Sequence, residues 1–146
     1  MRIFCTHRSR PASDHQRTVH TLDAALSKMV RANATECIAC GESHEEYDCG
    51  HLRRRELMAT RFHPWSVAPQ ENKENRFEGG QPFEYEQAID WKYGPRTTAF
   101  LDKLSRTIEP WKTNELEQLR SAARMGYLIY LTLYRELRPH HFICQS

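Results

Sequence analysis

The sequence lacks features that mark several common classes of protein. Its longest apolar run, Met125–Leu133, is interrupted by Gly126 and is far shorter than the roughly 20 residues of a membrane span. The first ten residues contain Arg2, Arg8 and Arg10 with no apolar stretch behind them, which argues against a secretory signal. We therefore expect a soluble protein of the cytoplasm, with no membrane partner.

The chain also lacks a net charge that would attract a polyanion. Its 146 residues include 21 Lys and Arg against 19 Asp and Glu, so the formal net charge is only +2. A nucleic-acid surface must therefore come from local segregation of charge. The run Arg53, Arg54, Arg55 and the nearby Arg61 supply such a segregation. These side chains are either phosphate ligands or solvated charges paired with acidic residues, and the sequence leaves both open.

A second Cys-x-x-Cys pair is missing as well. The chain has five cysteines, an odd number, and in a reducing compartment the Cys37-x-x-Cys40 pair indicates metal or redox chemistry rather than a disulfide. Zinc requires four ligands in a tetrahedron, and one such pair supplies two. Glu71 and Glu74 have the same spacing further along the chain. Two thiolates with two carboxylates would be an uncommon structural zinc site.

Length and composition predict one globular domain of mixed class, rich in helices. We expect a basic N-terminal arm over residues 1–20. Thr21 can cap a helix that runs to about Ala32, because apolar residues recur there at helical spacing. A tight turn over Cys37–Gly41 follows, and two short strands flank His51.

The second half of the chain is predicted to be helical. The predicted helices cover Gln70–Phe77, Phe83–Trp91, a stretch from Thr97, and a long C-terminal helix from Thr113 to about Leu137. The last of these has an apolar stripe, which either packs on the domain or forms a homodimer. Pro139 ends it.

Five short segments in a fixed order carry a resemblance to a known family. They are Cys37–Gly41, Asp48–Leu52, Met58–Phe62, Gln70–Asn75 and Gly80-Gln81. Together they resemble the NinG (Rap) recombination endonucleases of lambda-type phages, which belong to the HNH, or ββα-metal (His-Me finger), nucleases. The ordered combination is more specific than any single motif. Positions around Asp23 and Tyr93-Gly94 are also similar to that family.

The resemblance implies a helix-rich α+β domain built around a ββα-metal core over residues 21–112, followed by a C-terminal helix and tail over 113–146. It implies that His51 activates water and that Asn75 ligates a single Mg²⁺ or Mn²⁺ ion. Asp48 is a further metal-ligand candidate. In many HNH enzymes the acidic ligand directly precedes the histidine, and here that position is Gly50.

Two departures from the family pattern leave the zinc site open. The second cysteine pair of the family is replaced here by Glu71 and Glu74, and Gly80-Gln81 stands in place of Gly-Asn. Cys37 and Cys40 bind zinc with the two glutamates, or Cys49 or a histidine completes the set, or the zinc is lost and salt bridges replace it. We favour loss.

The function expected from the resemblance is a metal-dependent DNA endonuclease that cuts branched, Holliday-junction-like recombination intermediates. Arg53, Arg54, Arg55 and Arg61 are its DNA-binding candidates. The alternative is a catalytically degenerate member that binds DNA or a host protein. The motif His140-His141-x-x-Cys144 also has zinc-like spacing, but it lacks a fourth ligand nearby in sequence, so we expect no role for it.

Overall fold

The computed structural model describes residues 11–73 and 81–142. These residues form six helices, one two-stranded sheet and a final 3₁₀ turn. The elements are α1 (Asp14–Ala32), β1 (Tyr47–His51), α2 (Met58–Arg61), β2 (Val67–Glu71), α3 (Pro82–Tyr93), α4 (Thr97–Ser105), α5 (Thr113–Met125), α6 (Tyr127–Leu137) and the turn Pro139–His141. The expected helix-rich α+β class is confirmed. No helix in the described ranges has both the length and the apolar content to cross a membrane.

Helix α1 begins earlier than predicted, at Asp14 rather than after Thr21. Ser13 caps it: the Gln16 backbone N–H donates to Ser13 Oγ at 3.2 Å, and the Ser13 N–H donates to Gln16 Oε1 at 2.9 Å. This reciprocal capping box satisfies backbone groups that would otherwise lack partners. The predicted N-terminal arm, residues 1–20, is therefore helical from Asp14 onward rather than extended. Residues 1–10 lie outside the described part.

The two strands pair antiparallel, with His51 opposite Val67 and Tyr47 opposite Glu71. One strand therefore ends at His51, and its partner begins only at Val67, after a long connection that contains α2. The helix predicted over Gln70–Phe77 is wrong at its start, because β2 continues to Glu71. The Gln70 side chain is buried, which stabilises the strand over the intrinsic helix preference of this segment. Residues 74–80 lie outside the described part.

The C-terminal segment forms two helices rather than the single long helix predicted. Gly126, with φ of +134°, ends α5 and allows α6 to turn back along it. This turn brings Tyr130 and Tyr134 into the core, where both are fully buried, and Tyr130 Oη donates to the Phe62 carbonyl at 2.6 Å. The segment therefore packs on its own domain.

Two apolar clusters hold the sheet between helices. One contains α1, α5 and α6 with Val67 of β2, and the other joins Ala68 of β2 to α3 and α4. Helices α3 and α4 agree with the predicted helices at Phe83–Trp91 and from Thr97. Because successive strand residues point to opposite faces, each face of the sheet packs against a different helical layer.

Candidate active site

His51 is the last residue of β1 and lies on the face of the sheet toward α1. It shares this face with Cys49, which packs against the apolar cluster containing Leu22 of α1. Gly50 points to the other face, next to Tyr85 of α3. The strand thus holds the imidazole between the helical core and the arginine-rich connection that follows it.

The His51 ring is neutral near pH 7 and has one nitrogen without a partner. Burial lowers its pKa, and the positive charge of Arg55 lowers the pKa further, whereas Asp23 and a contact with the Cys49 backbone raise it. Nε2 is buried without a hydrogen-bond partner in the described ranges, so the backbone contact belongs to Nδ1. The Nε2 lone pair is therefore able to accept a proton.

Asp23 and Arg61 form an ion pair whose charges act on His51. Arg61 Nε donates to one Asp23 carboxylate oxygen at 3.0 Å, and Nη2 donates to the other. Arg61 Nη1 also donates to the Arg55 carbonyl at 3.1 Å, so one guanidinium links α1 to the connection after β1. Sequence reasoning assigned no role to Asp23, because nothing in the sequence shows that these distant residues meet. Its signals in the sequence are that it is an acidic residue next to the apolar Leu22 and that its surroundings resemble family positions.

The three consecutive arginines have different surroundings. Arg53 is largely buried, with Nη1 at 2.8 Å from Glu86 of α3 and Nε at 3.0 Å from Asp102 of α4. Arg54 and Arg55 are exposed. The charge of Arg53 is therefore balanced by two carboxylates within the protein. Arg54 has only an exposed ion pair with Glu56, at 3.5 Å, and both Arg54 and Arg55 are open to solvent. A DNA-binding role for these residues and for Arg61 stays a prediction.

The two predicted metal ligands are not brought together with His51 by the described residues. Asp48 lies three positions before His51 in a strand, so the two side chains point to opposite faces of the sheet. Asn75 lies outside the described residues. Asn72 and Lys73, which directly follow β2, have helical backbone.

The packing around Gly50 explains why no acidic residue precedes His51. A Cβ at position 50 would lie 2.7 Å from Gln70 Oε1 and 3.0 Å from a ring carbon of Tyr85. Both neighbours are buried, and Tyr85 Oη donates to the Gly50 carbonyl at 3.0 Å. An aspartate at this position would therefore disrupt the packing between the sheet and α3.

The Cys-x-x-Cys turn lies against the end of β2. The Ile38 N–H donates to the Pro69 carbonyl at 2.8 Å, and the Glu71 N–H donates to Cys37 Sγ at 3.3 Å. Cys37 is buried, whereas Cys40 is exposed. The structure therefore brings the backbone N–H of Glu71 to Cys37, while Glu74 lies outside the described residues.

A histidine, not Cys49, lies beside Cys40. The Cys40 Sγ is 3.1 Å from His44 Nε2, and these two residues with Glu42 are close enough to hold one metal ion. Burial raises the pKa of the Cys49 thiol to about 12, with the charge of Asp23 raising it further. Cys49 is therefore a partly buried thiol that stays protonated near pH 7. Which of the three zinc alternatives applies stays a prediction.

His63 and His141 form a second buried histidine group, away from the predicted site residues. The Trp65 N–H donates to His63 Nδ1 at 3.1 Å, so His63 Nε2 carries the proton and donates to the His141 carbonyl at 2.8 Å. Burial lowers the pKa of His63 to about 3. Both nitrogens of His63 are satisfied, which identifies it as a structural residue.

Comparisons with known proteins add no assignment. No family model matches the chain, and neither a curated protein nor a solved structure matches it significantly. The functional interpretation therefore rests on the site itself and on the motif resemblance described above.

Proposed function

We propose that this protein is a metal-dependent DNA endonuclease that cuts branched recombination intermediates. The observation that supports this most strongly is the partly buried, neutral His51 ring at the end of β1, whose buried Nε2 has no partner in the described ranges. Buried polar atoms are usually hydrogen-bonded, and the exceptions concentrate at reactive sites. The motif resemblance assigns the same residue to catalysis.

In the proposed reaction, His51 Nε2 takes a proton from a water molecule as its oxygen attacks the phosphorus of a phosphodiester. The bond from phosphorus to the leaving oxygen breaks, and a proton from solvent neutralises that oxygen. Exposed Arg54 and Arg55 hold the neighbouring phosphates. Arg61 and Asp23 keep the connection after β1 in place, since their ion pair joins it to α1.

The resemblance implies Mg²⁺ or Mn²⁺ at this site, with Asn75 as its ligand. Such an ion supplies positive charge to the scissile phosphate and the leaving oxygen. The orphaned Nε2 fits this arrangement, whereas Asp48 does not, because it points to the opposite face of the sheet. The carboxylate of Asp23 also acts on His51, but it is already paired with Arg61.

The decisive experiment is cleavage of a labelled four-way junction during a Mg²⁺ and Mn²⁺ titration, with linear duplex as the substrate control. We expect metal-dependent cutting of the junction by the wild-type protein and none by His51→Ala. If the wild-type protein binds the junction but never cuts it under any metal condition, the endonuclease proposal is wrong and the binding-module alternative stands.

A further inference from the structure

A carboxylate and two histidines meet near the end of the described chain, outside the proposed active site. Glu109 lies in the segment before α5, and His140 and His141 lie in the turn after α6. His140 Nε2 is 2.6 Å from Glu109 Oε1, and His141 Nε2 is 2.7 Å from Oε2. One ligand atom from each residue lies within 4.8 Å of the others. The three side chains therefore converge on one point from two segments of the chain.

The surroundings hold His141 in the orientation that a metal ligand requires. The residue is fully buried, its Nδ1 lies 2.9 Å from Tyr134 Oη, and its carbonyl accepts a hydrogen bond from His63. A histidine that ligates metal through Nε2 almost always has its Nδ1 held by an outer partner, which sets the tautomer and aims the ring. Tyr134 fills that position here.

The cluster is open on one side. The His140 side chain is 59% exposed and that of Glu109 is 27% exposed, so an ion and one water molecule can enter from solvent. Two imidazoles and one carboxylate, with a fourth position for water, form a donor set that suits Zn²⁺. Mg²⁺ and Ca²⁺ prefer oxygen ligands and are disfavoured.

Arg138 lies beside the cluster but is shared between two carboxylates. Its Nε lies 3.2 Å from Glu109 Oε1, whereas its Nη1 and Nη2 donate to the two oxygens of Glu115 at 2.8 and 3.0 Å. The bidentate pair of Arg138 is therefore with Glu115, and Glu109 is held chiefly by the two histidines.

We propose that Glu109, His140 and His141 bind one Zn²⁺ ion, which fastens the C-terminal turn to the segment before α5. Binding replaces the two histidine–carboxylate hydrogen bonds with coordinate bonds from both Nε2 atoms and the carboxylate. In each neutral imidazole, Nε2 gives its proton to solvent and Nδ1 takes one up, so that the ring stays neutral and the Nε2 lone pair is free to bind zinc. In His141 the Nδ1 proton then donates to Tyr134 Oη. The proposal uses no residue of the endonuclease site and is independent of that function.

The test is zinc binding by the full chain after EDTA treatment and dialysis, measured by calorimetry at pH 7.5. His140→Ala removes an exposed ligand and should not impair folding. Cys40→Ser is the matched control, because it removes a ligand from the other described group that could hold a metal, Cys40–Glu42–His44. We expect His140→Ala to weaken the zinc site by about tenfold or more, and Cys40→Ser to leave it unchanged.

Two further measurements make the outcome unambiguous. Co²⁺ bound at the proposed site should show d–d absorption without the sulfur-to-cobalt charge-transfer band that a thiolate ligand produces. Tyr134→Phe, which removes only the hydroxyl behind His141, should weaken binding while keeping the same ligands. Zinc binding that survives His140→Ala, or that is lost only in Cys40→Ser, would overturn the proposal, as would the absence of zinc binding by the wild-type chain.

Discussion

His51 and His63 both have a pKa lowered by burial, but the protein treats them differently. Both rings are neutral near pH 7. His63 is fully buried and uses both nitrogens, one toward the Trp65 N–H and the other toward the His141 carbonyl. His51 is only partly buried and leaves Nε2 without a partner in the described ranges. The two rings therefore share a lowered pKa, and what separates them is the unsatisfied nitrogen of His51.

The prediction with the largest expected effect tests directly whether His51 is reactive and His63 is structural. His51→Ala should lower junction cleavage by about 10²- to 10⁴-fold, the usual contribution of a general base. Its melting temperature should fall by less than that of His63→Ala, because the His51 ring gives up one hydrogen bond, to the Cys49 backbone, whereas the fully buried His63 ring gives up two. His63→Ala should instead unfold at lower temperature while keeping its activity per folded molecule. Equal losses of specific activity in both variants would contradict the distinction between a reactive His51 and a structural His63.

The second prediction concerns stability at acidic pH. The pKa of His63 is about 3 in the folded protein and near 6.5 when unfolded, so the unfolded chain binds the extra proton first as the pH falls. Stability from this residue is thus complete above pH 6.5 and declines toward pH 3. Urea unfolding at pH 4.5 should show a loss of roughly 2–3 kcal/mol relative to pH 7.5.

His63→Leu provides the control for that pH dependence, since it removes the titrating group but keeps an apolar side chain. The stability of this variant should fall less steeply between pH 7.5 and 4.5, although its stability at pH 7.5 will be lower. A slope identical to the wild type would assign the acid sensitivity to other groups.

The third prediction separates the arginines that follow His51. Arg53→Ala should destabilise the fold by about 1–2 kcal/mol, because it removes the arginine paired with Glu86 and leaves Asp102 with Arg106 alone. Arg54→Ala should change stability by less than about 0.5 kcal/mol but reduce the salt dependence of DNA binding by about one phosphate contact. Urea unfolding and binding isotherms at several salt concentrations measure both effects. Equal effects on stability would contradict the difference in their surroundings.

The smallest expected effect is a shift of the rate–pH profile. A general base must be deprotonated, so the cleavage rate rises with pH through the pKa of His51. Arg55 lowers that pKa and Asp23 raises it. Arg55→Ala should therefore move the rising limb to higher pH, and Asp23→Asn to lower pH, each by less than about one unit. Shifts in the same direction would show that another group controls the limb.

Parts of the fold could be predicted because their signals are local. The helical periodicity around Leu22 and Leu26 located α1, although the Ser13 capping box set its true beginning. The regular pattern of the C-terminal segment predicted helix correctly but not the turn at Gly126, whose left-handed φ serves to bury Tyr130 and Tyr134. The end of strand β2 was predicted to be helix from its local preference. It is a strand because the burial of Gln70 outweighs that preference.

The candidate site also has one part that the sequence predicts and another part that depends on the tertiary structure. The type and order of its residues, from the Cys37 turn to His51 and the arginines, are visible in the sequence and suffice for the hypothesis of a nuclease. Whether Asp48 faces His51 depends on strand alternation, which places it on the opposite side of the sheet. The meeting of Glu109 with His140 and His141 was not predicted, because short motifs do not reveal ligands supplied by a distant segment.

By itself, the sequence determined where helices can form, which residues can carry chemistry, and that positive charge is concentrated after His51. These properties follow from the identity of each residue and its near neighbours. Only the tertiary structure decided that Arg53 is neutralised by α3 and α4 and that Asp23 acts on His51. It also decided that, among residues 11–73 and 81–142, nothing pairs with His51 Nε2. Such properties depend on contacts between segments distant along the chain, and packing of the whole domain selects among them.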